Sequence, residues 1–397
     1  MSGWPTVRLE DCAEIVSGAT PSTSESAYWD GDVCWATPKD LSELEGAYIS
    51  DTPRKITRSG LQSCAATVLP PDSVLFSSRA PIGHVAINTV PMATNQGFKS
   101  FVPNGERVHA KFLYHWLRRN RPYLESLGNG ATFKEVSKAV VARIEIPLPP
   151  LPEQLRIAEI LDKADALRAK RRAAVAQLDT LTQSIFLDMF GDPATNPKGW
   201  ARPSLAELLN GAEVFVDGDW VESKDQDPEG EVRLIQLADV GDGVYLDKSA
   251  RFLTKQTALR LKCTPLKMGD VLVARMPDPL GRACTFPGDE REAVTVVDVC
   301  IIRPATEGPH PVWLMCCINT SAFRSQIARE ATGTTRERIS RGNLAKLRVI
   351  SPPRELQESF VRQYQTVSDL RARQCASLEE LDGLFASLQH RAFRGEL

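Results

Sequence analysis

Two glycine-led stretches carry residue types suited to gripping nucleic acid. Gly130-Ala131-Thr132-Phe133-Lys134 and Gly333-Thr334-Thr335-Arg336-Glu337-Arg338 each set hydroxyls and cations behind a glycine. Glycine lets the backbone approach a ligand closely, threonine hydroxyls reach phosphate oxygens, and arginine grips a phosphate or a guanine edge. Thr132, Lys134, Thr334, Thr335, Arg336 and Arg338 are therefore candidate DNA contacts. The competing reading is an ordinary helix start with threonine as N-cap and solvated cations. A second matched set, Arg79 with His84 and Arg275 with Arg282, flanks the Pro81-Ile82-Gly83 and Pro279-Leu280-Gly281 turns. Its alternative is plain turn charge at the surface. Trp35, Lys39 and Gln236 are weaker candidates.

Catalytic chemistry is harder to place. Asp217 with Glu222-Ser223-Lys224 has the residue types of a magnesium nuclease, but acidic spacings of this kind are common in charged loops. The Pro-Pro pairs follow Leu69, Leu148 and Ser351, so none completes the Asn/Asp-Pro-Pro-aromatic motif of a base methyltransferase, and no GxxxxGK[ST] loop occurs. The nine cysteines form no CxxC pair and the five histidines no HExxH group, which points to reduced thiols and away from a metal site. The formal net charge of -2 counts against a protein that coats DNA by bulk electrostatics, although it leaves room for local basic patches. No run approaches the roughly 18 apolar residues of a membrane span, and the start of the chain lacks a signal-peptide core. A cytoplasmic protein is expected.

The elements that must position these candidates are arranged as a tandem repeat. Gly130 and Gly333 lie 203 residues apart, and the same offset pairs Pro149-Pro150 with Pro352-Pro353, Gln154 with Gln357, Leu167 with Leu370, Leu178-Asp179 with Leu381-Asp382, and Phe190 with Phe393. Upstream the match loosens, as loops allow, but Pro81-Ile82-Gly83 still answers Pro279-Leu280-Gly281. Strands are predicted at 73–76, 85–87, 271–274 and 294–302, and helices at 110–119 and 311–328.

After each Pro-Pro pair the pattern becomes one long helix. In the first, Ile157, Ile160, Ala164, Leu167, Arg171, Ala174, Leu178, Leu181 and Ile185 follow 3-4 spacing. The second gives Phe360, Gln363, Val367, Leu370, Gln374, Ser377, Leu381, Leu384 and Leu388. Arg171 and Gln374 share a repeat position, where a polar residue either fixes alignment or lies solvated at the stripe's edge. A helix of this length extends roughly 54 Å. Two of them can pack antiparallel as a spacer, giving an α+β chain of two globular domains in a pseudo-two-fold tandem repeat.

These motifs together resemble the Type I restriction-modification specificity (S) subunits. Ile144-Glu145-Ile146-Pro147-Leu148-Pro149-Pro150-Leu151-Pro152-Glu153-Gln154 is similar to the strand and Pro-Pro-x-x-Glu-Gln turn that begin that family's conserved helix. Phe190-Gly191-Asp192-Pro193 with Asn196-Pro197-Lys198-Gly199-Trp200 resembles its inter-domain linker, and Phe393-Arg394-Gly395-Glu396-Leu397 its ending. One departure is Leu356, which interrupts the Glu-Gln pair in the second copy.

The resemblance implies two α/β target-recognition domains, at 1–150 and, with its linker, at 193–354, separated by antiparallel coiled-coil helices at 151–192 and 355–397. It implies a non-catalytic subunit that recognises a bipartite sequence in double-stranded DNA and recruits two methyltransferase (M) subunits, and motor-nuclease (R) subunits, for adenine methylation or restriction. S-adenosylmethionine, ATP and Mg belong to those partners, with no cofactor or metal on this chain. A coiled-coil interaction scaffold and a self-contained nuclease are the alternatives the residues leave open.

Overall fold

Val74-Leu75-Phe76 has no polar residue to turn toward water, and in the computed structural model all three are fully buried at the centre of a sheet. The structure describes residues 4–79, 81–130, 134–277, 279–333 and 336–397. The chain divides into two compact units: Met1–Ala173 with Cys375–Leu397, and Ala174–Gln374. Among the described residues no helix is long and apolar enough to cross a membrane.

In the first unit the central sheet has the order Ala13–Ser17, Lys99–Pro103, Val74–Phe76, Val85–Asn88, Tyr48–Ile49. Its first four strands are antiparallel neighbours, with Ile15 opposite Phe101 and Val74 opposite both Phe101 and Ile87. A second sheet sets Trp29–Ala36 between Lys55–Ile56 and Met92–Thr94. The second unit repeats the first four strands of the central sheet, as Val214–Asp217, Val299–Arg303, Val271–Ala274, Ala283–Thr285, and the whole of the second sheet, as Phe252–Leu253, Val232–Ile235, Ala293–Thr295. The single strand predicted at 294–302 is therefore two strands in different sheets. The predicted helix at 311–328 is likewise two, Pro311–Ile318 and Ser321–Glu330, because the Thr320 hydroxyl accepts the Phe323 N–H and starts a new helix.

The long helices run Leu151–Phe190 and Arg354–Ala392. Each gives one half to each unit. In the first unit the two segments run antiparallel: Arg156 donates to the Leu397 carbonyl at 2.9 Å, and Arg168 reaches Asp382 while its guanidinium lies 4.2 Å over the Phe385 ring. In the second unit Arg371 meets Asp179, the same ion pair displaced by one repeat. The apolar cores continue onto the helices, through Ile157, Leu161 and Phe385 in one unit and through Phe186, Phe190 and Phe360 in the other. Phe190 packs edge-on against Trp313 at 6.1 Å and Phe393 against Phe112 at 5.4 Å, again one contact made twice.

The buried stripe corrects the predicted seam. The inward positions are 157, 161, 164, 168, 171, 175, 178, 182, 185 and 189, and 360, 364, 367, 371, 374, 378, 381, 385, 388 and 392; every one is buried or half-buried. Ile157, Leu178, Ile185, Phe360, Val367, Leu381 and Leu388 take the expected places. Ile160 is half-buried beside the stripe, whereas Leu167, Leu181, Leu370 and Leu384 are exposed. The four-residue step comes first in each heptad, not the three-residue step. Arg168 turns inward because its aliphatic stem can be covered while its head meets Asp382. Arg171 and Gln374 are both half-buried at inward positions.

Candidate nucleic-acid interface

Each unit pins a hairpin onto its central sheet. Asn129 and Glu135 exchange two backbone hydrogen bonds of 3.0 Å, and Thr332 and Arg338 exchange two of 2.9 Å at the equivalent position. The next residue is tied down in both: Val136 N–H donates to the Ser78 carbonyl at 2.8 Å and Ile339 N–H to that of Arg275 at 3.1 Å. Gly333 has φ +108°, and a Cβ there would fall 2.4 Å from the Arg336 carbonyl oxygen, so this position requires glycine. The helix that follows each hairpin is capped by Ser137 or Ser340, whose hydroxyls accept the Val140 and Asn343 N–H groups. The helix caps at these places are therefore serines, and the threonines of the competing reading lie outside the described residues.

Lys134, Arg336 and Arg338 are exposed on these hairpins. Thr132, Thr334 and Thr335 lie outside the described residues. Glu135 occupies the place of Arg338 and carries the opposite charge; Arg79 and Lys99 each approach it at 3.3 Å. The two hairpins therefore present different electrostatics on one backbone.

The second matched set is brought together only in part. His84 and Arg282 are equivalent, since their carbonyls accept the Ser77 and Ala274 N–H groups at 2.9 and 2.8 Å. Arg275, however, is equivalent to Ser78 rather than to Arg79: both backbone N–H groups donate at 2.8 Å, to the Asp298 and Gly97 carbonyls. A one-residue slip along extended chain reverses the face. Arg79 accordingly points outward, while Arg275 is 3% exposed, with its guanidinium on the Ile339 and Val297 carbonyls and on Asp217. Arg282 is also buried, donating to the Val240, Leu237 and Pro279 carbonyls at 2.6, 2.8 and 3.0 Å. Both expected surface cations are corrected to interior residues that satisfy backbone carbonyls. His84 is half-buried, and burial, aided by nearby Arg121, lowers its pKa.

The acidic residues considered for nuclease chemistry have other work. Asp217 receives Arg275, and Glu222 pairs with Lys224 at 2.7 Å in a capping turn with Asp225. Among the described residues no cluster of three His, Cys, Asp or Glu could hold a metal ion. Trp35 is buried and donates to the Ala19 carbonyl, and Gln236 begins a capping box with Asp239.

Two hollows were not legible in the sequence. In the first unit a groove of about 470 Å³ is lined by Pro38, Lys39, Arg79, Pro81, Asn95 and Gln96. In the second, one of about 690 Å³ is lined by Thr182, Phe186, Met315, Tyr364, Ser368 and Arg371.

Residues 1–177 match the family described as Type I restriction modification DNA specificity domain. The chain is 34% identical over 223 residues to the Type I restriction enzyme MjaIX specificity subunit of Methanocaldococcus jannaschii, covering 52% of this chain and 51% of that one. It is 28% identical over 171 residues to the EcoR124I/EcoR124II specificity subunit of Escherichia coli, covering 41% of each. The chain spans about half the length, or less, of these curated relatives. Its fold is that of a crystallised Type I restriction-modification S subunit from M. genitalium, with TM-score 0.59, 13% identity and coverage of 99% and 96%. A chain from a structure of type I R-M complex assembly gives TM-score 0.59 at 21% identity, with coverage of 100% and 98%.

Proposed function

We propose that the chain, whose residues 1–177 match the family described as Type I restriction modification DNA specificity domain, is a non-catalytic subunit that reads a bipartite sequence in double-stranded DNA. The observation that carries this reading is the pair of domains with matched backbone hydrogen bonds and different exposed side chains. A shared scaffold with divergent surface chemistry suits two readers of unlike half-sites. Arg336 and Arg338 in one hairpin, and Lys134 in the other with Arg79 beside it, supply phosphate or base contacts.

The chemistry belongs to partners. Two methyltransferase subunits bring S-adenosylmethionine for adenine methylation, and a motor-nuclease subunit brings ATP and Mg for restriction. Extracting a base from the stack costs a few kcal/mol, and the reader's surrounding contacts offset it. Leu167 and Leu384 in the first unit, and at the equivalent repeat positions Leu370 and Leu181 in the second, are exposed apolar residues, and each pair is a suitable docking site for one methyltransferase.

Replacing residues 1–150 with the corresponding domain of a relative, followed by methylation mapping of the complete system, tests the reading. One half-site should change and the other persist. Simultaneous change of both halves, or no sequence preference in the unaltered complex, would overturn it. Magnesium-dependent cutting by the chain alone that is lost in Glu222→Ala would favour the nuclease instead.

A further inference from the structure

The loop after Met92–Thr94 and that after Ala293–Thr295 are built alike. Ala19 and Asp219 N–H donate to the Thr94 and Thr295 carbonyls at 3.0 and 2.8 Å, and Gly18 and Gly218 to those of Phe98 and Val299 at 3.4 and 2.8 Å. A Cβ on Gly18 would fall 2.0 Å from the Asn95 oxygen, and one on Gly218 2.3 Å from that of Val296. Close backbone packing thus fixes each loop. Gln96 then corresponds to Val297. By the same comparison Lys39 corresponds to Ala238, since Thr37–Asp40 and Gln236–Asp239 form equivalent capping boxes, and Arg79 to Met276. Three equivalent positions are cationic or amide in one domain and apolar in the other.

We propose that Gln96 is a specificity-determining residue of the first domain, reading an adenine edge within a groove whose Lys39 and Arg79 hold adjoining phosphates. This rests on the DNA-reading function proposed above. Gln96 is exposed, and its Oε1 accepts the Thr20 hydroxyl, which orients the carboxamide. A second lone pair on that oxygen and both N–H donors stay available, and this donor-acceptor pair matches adenine N7 and N6–H in the major groove. The neighbouring amide is committed elsewhere: Asn95 Oδ1 accepts the Gly97 N–H at 2.9 Å. Lys39 meets Glu43 at 3.6 Å and Arg79 meets Glu135 at 3.3 Å in solvent-accessible pairs. Such pairs contribute little and are readily exchanged for phosphates.

The test gives the full chain, co-expressed with its methyltransferase partner, a duplex DNA library of random sequence. Gln96→Val installs the second domain's residue at an exposed position. It should relax one A·T position in one half-site by about ten- to a hundredfold and leave the other half-site intact. Lys39→Ala should weaken binding to all sequences and flatten its salt dependence. If Gln96→Val selects the unaltered motif, or loses affinity equally for every sequence, the assignment of Gln96 is overturned while DNA reading stands. If the unaltered complex selects no motif, both fall together.

Discussion

The side-chain Oε1 of Gln154 accepts the backbone N–H of His109 at 2.8 Å. Its amide donates at 2.8 Å to the Arg107 and Pro149 carbonyls, and one repeat later Gln357 accepts from His310 at 2.9 Å and donates to Pro352. Both glutamines are buried and join the start of a long helix to the helix of the domain beside it. Leu356, which breaks the Glu-Gln motif, replaces Glu153, whose carboxylate only meets Arg156 on the same helix.

Gln154→Ala and Gln357→Ala should each destabilise the chain by about 2–4 kcal/mol, because buried backbone groups lose their partners. Denaturant unfolding of each variant measures this. Glu153→Leu should change stability by less than about 0.5 kcal/mol.

Thr182 occupies the repeat position of Phe385. Where Phe385 fills the space under Arg168, the second unit leaves its hollow beside Arg371. Thr182→Phe is expected to raise stability by about 1 kcal/mol through added apolar burial. A lowered midpoint in thermal unfolding would mean that the hollow cannot admit a ring.

The tandem organisation and both long helices were readable because a repeat offset and a run without helix breakers survive the loss of fine detail. The register was not. Leu167 and Leu181 are more apolar than Arg168 and Thr182, so hydrophobicity alone selects the wrong member of each pair; only the Arg168–Asp382 contact, 214 residues apart in sequence, reverses the choice. The same limit hid the interior roles of Arg275 and Arg282. An arginine near a Pro-x-Gly turn looks superficial until the carbonyls that surround it are known. Gln96 lay in a segment where the upstream alignment drifts, so its counterpart Val297 could not be identified without the strand register.

Arg336→Ala with Arg338→Ala should weaken DNA binding. Uniform loss across sequences with a shallower salt dependence identifies phosphate contacts, whereas relaxation at one position by about 1–3 kcal/mol identifies a base contact. Unchanged affinity in the folded double variant would remove the hairpin from the interface. Binding isotherms at several salt concentrations separate these outcomes.

Leu167→Glu and Leu370→Glu should leave thermal stability within about 0.5 kcal/mol of the starting chain, since both side chains are exposed. Each should weaken capture of a co-expressed methyltransferase at least tenfold if these leucines form the docking face. Co-purification with quantified stoichiometry decides it.

His109 and His310 precede equivalent helices, and burial is the foremost cause lowering both pKa values. The unfolded chain therefore binds more protons than the folded one as pH falls below about 6.5. The stabilisation is complete above that value and is lost as pH drops toward the depressed folded pKa. Thermal unfolding between about pH 7.5 and about pH 5 should show this fall, and His109→Asn with His310→Asn should flatten it; an unchanged slope would assign the dependence to other groups.

The boundary between compact units crosses both long helices, so the first unit is assembled from two distant stretches of chain and the second from one uninterrupted stretch. During synthesis the ribosome delivers everything the second unit needs before it delivers residues 375–397. The first domain must meanwhile wait with Ile157 and Leu161 lacking Phe385 and Ala392. Vectorial folding is thus inverted relative to chain order: the later domain can close first, and the earlier one depends on a segment that follows the whole of the second unit. A released chain truncated after residue 374 should protect the second unit from protease while leaving the first open to cleavage.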